Sequence, residues 1–324
     1  MIAYILVFSI SLVLSLLITP LIIKFCKQFN IVDIPDKRKI HKDPIPRMGG
    51  LAVIISTFLS ILIFSSITIF FYPEFFKIKY FKYDIIQVLG IISSLSLITL
   101  VGMIDDIKEL KAKTKLIFQF LSANILFFTG TKITFITLLN NHFLHLGDVL
   151  SYILTILWVI GLTNAINLID GMDGALAGIG AIISFSLGIL AIIQGQTVLA
   201  IFVFALSGSL TGFLKYNFNP AKVFLGDTGS LFIGMFMSII SILGYFKKAT
   251  LISIAIPVII FAIPIFDTLF AIIRRIIKRQ HIFQPDKEHI HHKLLQYGFN
   301  QKQAAFILYF ITIFLSIIAI TIIK

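Results

Sequence analysis

The chain has 324 residues, of which 58% are hydrophobic and 13% charged, where ordinary globular domains carry about 25% charged residues. That balance excludes a soluble globular enzyme and describes a polytopic membrane protein. The single cysteine, Cys26, excludes a disulfide framework and a cysteine-built zinc site, and the net charge of +12 has to be explained by where the charges lie.

A span takes roughly 20 apolar residues. In chain order the apolar runs predict ten helices, at about 2–23, 48–71, 85–104, 115–130, 149–166, 175–193, 197–214, 228–244, 251–273 and 304–323. The first lacks a basic start and a small-residue cleavage site, and its positive charges follow it. It reads as a retained span rather than a signal peptide. Between the fourth and fifth, "TKITFITLLNNHFLHLGD" (131–148) alternates in part and reads as a short hairpin or loop. Without internal repeats or linkers, residues 1–324 read as one all-α membrane domain.

Ten spans put alternate loops on opposite sides. One set carries the basic clusters "KRKIHK", "KELKAKTK" and "RRIIKR". The other holds only Lys77, Lys79, Lys82, Lys132, Lys247, Lys248 and Lys324. The positive-inside rule places the first set in the cytoplasm, with both termini outside. Topology and an anionic substrate then account for the basic excess, and no nucleic-acid partner is expected.

The same division sorts the polar residues. Asp105 and Asp106 end the third helix, in "VGMIDDIKEL", and "NAINLIDGMDG" ends the fifth. "NFNPAKVFLGDTGS", with Asp227, precedes the eighth, and "QPDKEHIHHKLLQYG", with His289, His291 and His292, fills the last inner loop. Each has a plain structural reading. Asp105 and Asp106 suit a cap on the following turn, and Asp227 with Thr228 suits a helix N-cap. Asn164, Asn167, Asp170 and Asp173 recur every three residues, a polar stripe if helical, although Gly171 and Gly174 would break that helix. Three histidines admit zinc, but phosphates suit a His- and Lys-rich loop facing so many acids. Carboxylates and basic side chains gathered at one membrane face suit Mg²⁺ and a diphosphate together. A P-loop is absent. "DTG" has neither the second copy nor the β framework of a soluble aspartic protease. The acids lie in loops, not at the midplane as in a transporter or an intramembrane aspartyl protease. Asp267, in "IPIFDTLFAIIRR", is the one deeper acid. It shares a helix face with Arg274, and a structural and a catalytic role are equally open to it.

"DIPDKRKIHKDPIPRMGG", "GMIDDIKELKAKTK", "NAINLIDGMDGALAG", "VFLGDTGSLFIG" and "DKEHIHHKLLQYG" stand in order along the chain. On these five motifs the chain resembles the polyprenyl-phosphate N-acetylhexosamine-1-phosphate transferases, glycosyltransferase family 4. The resemblance implies a bundle of about ten helices with cytoplasmic catalytic loops in a bacterial inner membrane. It implies transfer of a sugar-1-phosphate from a UDP-N-acetylhexosamine to undecaprenyl phosphate, releasing UMP, with Mg²⁺ or in its place Mn²⁺. A homodimer is compatible with it. By motif, Asp105, Asp106, Asp170 and Lys115 look catalytic, with Asp105 the base or lipid-phosphate partner. Asp227 looks like the metal ligand. Asn167 and Arg47 look like substrate-binding residues, Asp173 like a nucleotide-recognition residue, and His289, His291 and His292 like the donor-phosphate loop. The peptidoglycan branch, which moves phospho-MurNAc-pentapeptide, has an unbroken triple-His run. Here Ile290 interrupts it. "PRMGG" and "PIFDT" look like the enzymes that start O-antigen, common-antigen or teichoic-acid synthesis, so the expected donor is UDP-GlcNAc.

Overall fold

The computed structural model describes residues 1–35, 43–71, 84–137, 143–244, 252–279 and 289–323. Lys37, Arg38, Lys39, Lys42 and Glu74, and most of the segment before His289, lie outside the described residues. The long helices are α1 (Ile2–Gln28), α2 (Gly50–Phe71), α3 (Ile85–Lys108), α4 (Ala112–Phe128), α5 (Asp148–Ile169), α6 (Ala175–Ile193), α7 (Thr197–Asn217) and α8 (Gly226–Gly244). They are followed by α9 (Ile252–Ile260), α10 (Ala262–Ile277), a two-turn α11 (Ile290–Gln296) and α12 (Gln301–Ile323). Eight of them are long and apolar enough to cross a membrane. The 17-residue α4 and the paired α9 and α10 are the shorter pieces. The chain is an all-α polytopic membrane protein.

Strands are confined to two short antiparallel pairs. β1 (Val32–Asp33) pairs with β2 (Ile45–Pro46). β3 (Phe135–Thr137) pairs with β4 (Phe143–His145), with Phe135 opposite His145, so the 131–148 segment is the expected hairpin.

α8 is the central helix: 89% of its span is buried, against 22% for α1 and 28% for α12. It packs on α2, α3 and α5, while α7 is flanked by α1, α2 and α6. Apolar side chains gain little from helix association in lipid, so close backbone approach and hydrogen bonds hold the bundle. Gly229 of α8 meets Gly50 of α2, where a Cβ on Gly229 would lie 2.8 Å from the Gly50 Cα. Trp158 of α5 donates to the Ser241 hydroxyl of α8 at 2.8 Å.

Two expectations need correction. The ninth span, predicted as one helix over 251–273, is two, parted at Phe261. Proline has no N–H, so Pro264 cannot bond the Ile260 carbonyl, and the ladder breaks there. The predicted stripe from Asn164 to Asp173 is helical only as far as Ile169. Asp170 is the C-cap and Gly174 takes φ +75, so Asp173 sits in a turn rather than on the Asn164 face.

Candidate active site

The acids at the end of α3, the lysine one turn into α4, the end of α5 and the start of α8 converge on one place. α8 begins on Gly226 at φ +66, where the Arg47 carbonyl and the Asp106 carboxylate fill the space a Cβ would need. The α8 N-cap is supplied from 121 residues away. Asp106 Oδ1 accepts the Asp227 N–H at 2.9 Å, and its Oδ2 accepts the Thr228 N–H at 3.0 Å and the Thr228 hydroxyl at 2.6 Å. A carboxylate there satisfies orphan N–H groups and the positive helix end together. Asp227 is therefore not the cap of its own helix, and its side chain is left for the site.

Lys115 Nζ lies 2.6 Å from Asp227 Oδ2 and 3.5 Å from Asp105 Oδ1. Asp105 Oδ1 also accepts the Leu110 N–H at 2.8 Å, so it caps the turn after α3 as well as facing the lysine. Asn167 donates from Nδ2 to Asp227 Oδ1 at 3.2 Å and to the Ser230 hydroxyl at 2.7 Å. One turn earlier on α5, Asn164 forms a reciprocal amide pair with Gln119, 2.6 Å and 3.3 Å, that ties α5 to α4.

The Asp170 carboxyl has no hydrogen bond or ion pair among the described residues, although its N–H donates to the Asn167 carbonyl at 3.2 Å, and the residue is half-buried. Burial first, then the charges of Asp227, Asp106 and Asp173, hold its carboxyl well above the usual carboxylate range. Asp105 and Asp227 thus share one ammonium, and Asp170 meets the charges of Asp227 and Asp106 without a cation of its own among the described residues, an imbalance that a bound cation would relieve.

Asp173 stands to one side. Its Oδ2 accepts from Asn219 Nδ2 at 2.9 Å and from the Ala221 N–H at 3.1 Å, and Asn219 also donates to Gln301 of α12 at 2.7 Å. The Tyr309 hydroxyl reaches the Gly174 carbonyl at 2.6 Å. Arg47 is a clasp between Glu109, 2.8 Å from Nη1, and Asp33, 3.6 Å from Nε. The "PRMGG" segment around it is tied to the approach of α8 by Phe224 N–H to Pro46 O at 2.8 Å, Gly49 N–H to Phe224 O at 2.9 Å and Gly50 N–H to Leu225 O at 2.8 Å.

The histidines arrive from the other side. His291 lies on Gly171, where a Cβ would be 2.5 Å from Nε2. Burial, then the charge of His292, pushes His291 down to about 4. His292 is packed against it, with ring centroids 4.3 Å apart. His289 and His291 stack at 5.9 Å and 6°. Parallel rings do not aim their nitrogens at one point. Among the described residues no three His, Cys, Asp or Glu side chains are grouped to hold a metal by themselves.

Gln119, Ser230 and Asn219 were not singled out in the sequence. Gln119 follows Lys115 by four residues, on the same helix face, and Ser230 closes "DTGS". Asn219 carries no comparable signal, because only the fold sets it against Asp173.

Residues 88–245 match the family described as "Glycosyl transferase family 4". A probable undecaprenyl-phosphate N-acetylglucosaminyl 1-phosphate transferase of Bacillus subtilis is 40% identical over 322 residues, 99% of this chain and 85% of its own. A decaprenyl-phosphate N-acetylglucosaminephosphotransferase of Mycolicibacterium smegmatis is 33% identical, over 87% of this chain and 73% of its own. A phospho-N-acetylmuramoyl-pentapeptide-transferase of Listeria monocytogenes is 31% identical, over 73% of this chain and 74% of its own. With near-complete coverage at 40% identity, the chain belongs to glycosyl transferase family 4, on the side of the polyprenyl-phosphate N-acetylglucosaminyl 1-phosphate transferases.

Proposed function

We propose that this protein transfers GlcNAc-1-phosphate from UDP-GlcNAc to undecaprenyl phosphate, giving the lipid diphosphate sugar and UMP. The observation that carries this reading is that Asp105 and Asp227 share the Lys115 ammonium, while the Asp170 carboxyl stands within the field of Asp227 and Asp106 and the His291 ring lies on the neighbouring Gly171. The names of the relatives supply the substrates: undecaprenyl or decaprenyl phosphate on the lipid side, N-acetylglucosaminyl 1-phosphate on the sugar side. The positive-inside rule supports a site on the cytoplasmic face of a bacterial inner membrane, with both termini outside.

The donor set fits Mg²⁺. It is all oxygen, Asp170 is unpartnered, and Mg²⁺ takes one or two carboxylates with substrate phosphate oxygens for the rest. Asp227 and Asp170 would hold it, and when bound it supplies charge neutralisation at the diphosphate.

The chain's own residues do the remaining work, which in phosphoryl transfer is positioning and electrostatics. An oxygen of the lipid phosphate attacks the phosphorus that bears the sugar. The bond from that phosphorus to the bridging oxygen breaks, and UMP leaves with that oxygen. One phosphoanhydride replaces another, so the reaction is near balance. Lys115, between Asp105 and Asp227, is placed to hold an incoming phosphate. Asp105 takes the proton of any monoanionic lipid phosphate, a small task given a second pKa of about 6. Asn167 keeps Asp227 oriented. His291, neutral at physiological pH, is a hydrogen-bond donor to the phosphate of the departing UMP. Asp106 holds α8 in place and touches no substrate.

The test is UMP formation by purified protein with undecaprenyl phosphate and a panel of UDP-sugars, with and without Mg²⁺ or Mn²⁺. Turnover with UDP-GlcNAc and a divalent cation is expected. Turnover confined to UDP-MurNAc-pentapeptide would move the protein to the peptidoglycan branch. No UMP from any UDP-N-acetylhexosamine sinks the assignment.

A further inference from the structure

Asp267 lies in the middle of α10, far in sequence from every motif of the acidic site, and is only 4% exposed. Both of its oxygens are committed. Oδ2 is 2.8 Å from His289 Nδ1, and Oδ1 accepts the Ile290 N–H at 2.8 Å. One carboxylate therefore grips a side chain and a backbone group at the start of α11. From there a short line of contacts leads to the site. His289 stacks on His291, and the His291 ring lies on Gly171, next to Asp170. α10 itself packs against α5, the helix that ends on Asp170. The histidine segment and the unpartnered carboxylate are thus referred to the same two helices.

We propose that Asp267 is a positioning residue, a two-point latch that seats the His289–His292 segment on the Asp170 turn. This rests on the reading of His291 and His292 as donor-phosphate residues. The chemistry is that of a carboxylate behind a histidine. An acceptor at Nδ1 selects the tautomer with the proton there, fixes the ring plane and leaves Nε2 as the free nitrogen. The second bond, to the Ile290 N–H, sets where α11 begins, and so where His291 falls one residue later. With both oxygens engaged inside the protein, Asp267 is not itself an acid or base in the transfer. Nor is Arg274 its partner, as helix spacing alone would allow. The His289 ring and the Ile290 N–H occupy its oxygens.

Asp267→Asn tests the latch. Asparagine keeps the volume and one acceptor for the Ile290 N–H, but it turns an amide toward Nδ1 and deletes the charge. UMP release is followed with UDP-GlcNAc varied at saturating undecaprenyl phosphate, then the reverse. The KM for UDP-GlcNAc should rise about tenfold or more, the scale seen when an outer partner of a functional histidine is lost. The KM for the lipid should stay where it was. His289→Gln should show the same split, and the double variant should be no worse than either single one, because both changes break one contact. A merely structural role would lower folded protein and both KM responses together. It would not separate donor from lipid. Should Asp267→Asn fail to accumulate as folded protein, His289→Gln alone decides, and an unchanged donor KM there overturns the latch. An unchanged donor KM in Asp267→Asn, or full additivity in the double variant, also overturns it. A wild-type chain that releases no UMP from any UDP-N-acetylhexosamine overturns the assigned function and the latch with it. Normal wild-type turnover with unaffected variants overturns the latch alone.

Discussion

Asp106 and Asp170 are both acids at the same site, yet one has three donors and the other has no partner among the described residues. Their asparagine variants should therefore part company. Asp106→Asn leaves one acceptor oxygen where three donors converge, so it should melt lower, by about 1 kcal/mol as for a lost N-cap, and lose turnover through displacement of Asp227. Asp170→Asn removes a carboxyl whose ionisation burial and three neighbouring acids oppose, and with it the cost of holding that group in the folded chain. In chelator it should melt higher than wild type, while added Mg²⁺ should stabilise wild type and not the variant. Melting in detergent with EDTA or Mg²⁺ reads both, and the same direction of shift in the two variants would refute this division. Asp227→Asn should lose turnover on the order of a hundredfold or more, the size of one electrostatic stabiliser removed, with the protein still folded. Near-normal UMP release would exclude Asp227 from the chemistry. His291 gives a pH signature. Its folded pKa, lowered from 6.5 to about 4, means the unfolded chain takes up the proton first as pH falls. Its contribution to stability is thus complete above about 6.5 and is lost progressively toward 4. His291→Gln should flatten the melting curve against pH over that window, and a curve unchanged by the substitution would contradict the assignment.

At the scale of elements, the site depends on α8 being pressed against α2. The Gly229–Gly50 contact permits this, and the pairing of residues 46–50 with 224–225 continues it to the start of α8. Gly229→Val forces methyl groups into the Gly50 backbone. It should cost about 1–3 kcal/mol, as overpacking does, and should lower activity in step with melting temperature. The α5–α6 turn behaves differently. Gly171→Ala places a Cβ 2.5 Å from the His291 ring. The ring is carried by the two-turn α11, outside the long helices of the bundle, so its displacement should lower turnover much more than stability. Parallel losses in UMP release and melting for Gly171→Ala would show that the turn is structural. The break between α9 and α10 lets α10 take its own direction, against α5, and this is how Asp267 comes to the histidine segment.

For the whole molecule the open question of orientation has a direct measurement. In a Cys26→Ser background, a cysteine at Gln301 should be labelled by an impermeant thiol reagent only after the inner membrane is breached. A cysteine at Lys132, in the turn before the hairpin, should be labelled from outside intact cells. Labelling of the Gln301 position from outside would invert the topology and place the acidic site on the wrong face for a UDP-sugar.

The all-α membrane class, eight of the long helices, the strand pairing within 131–148 and the family were readable in the sequence, because long apolar runs and ordered polar motifs are local signals, whereas the split of the ninth predicted span was not. Asp105, Asp106, Asp170 and Asp227 could be recognised as one group for the same reason: each closes or opens a span at the same face. What each acid does was not readable there. Asp106 as the cap of α8, Asp173 as the partner of Asn219 and Ala221, Arg47 as the clasp of Glu109 and Asp33, and Asp267 as the partner of His289 all join residues far apart in sequence. A carboxylate looks the same in a sequence whether its donors are backbone, side chain or substrate. Only tertiary packing, by deciding which N–H groups and ammonium lie within reach, separates the acids held by donors within the protein from Asp170, whose carboxyl has none among the described residues.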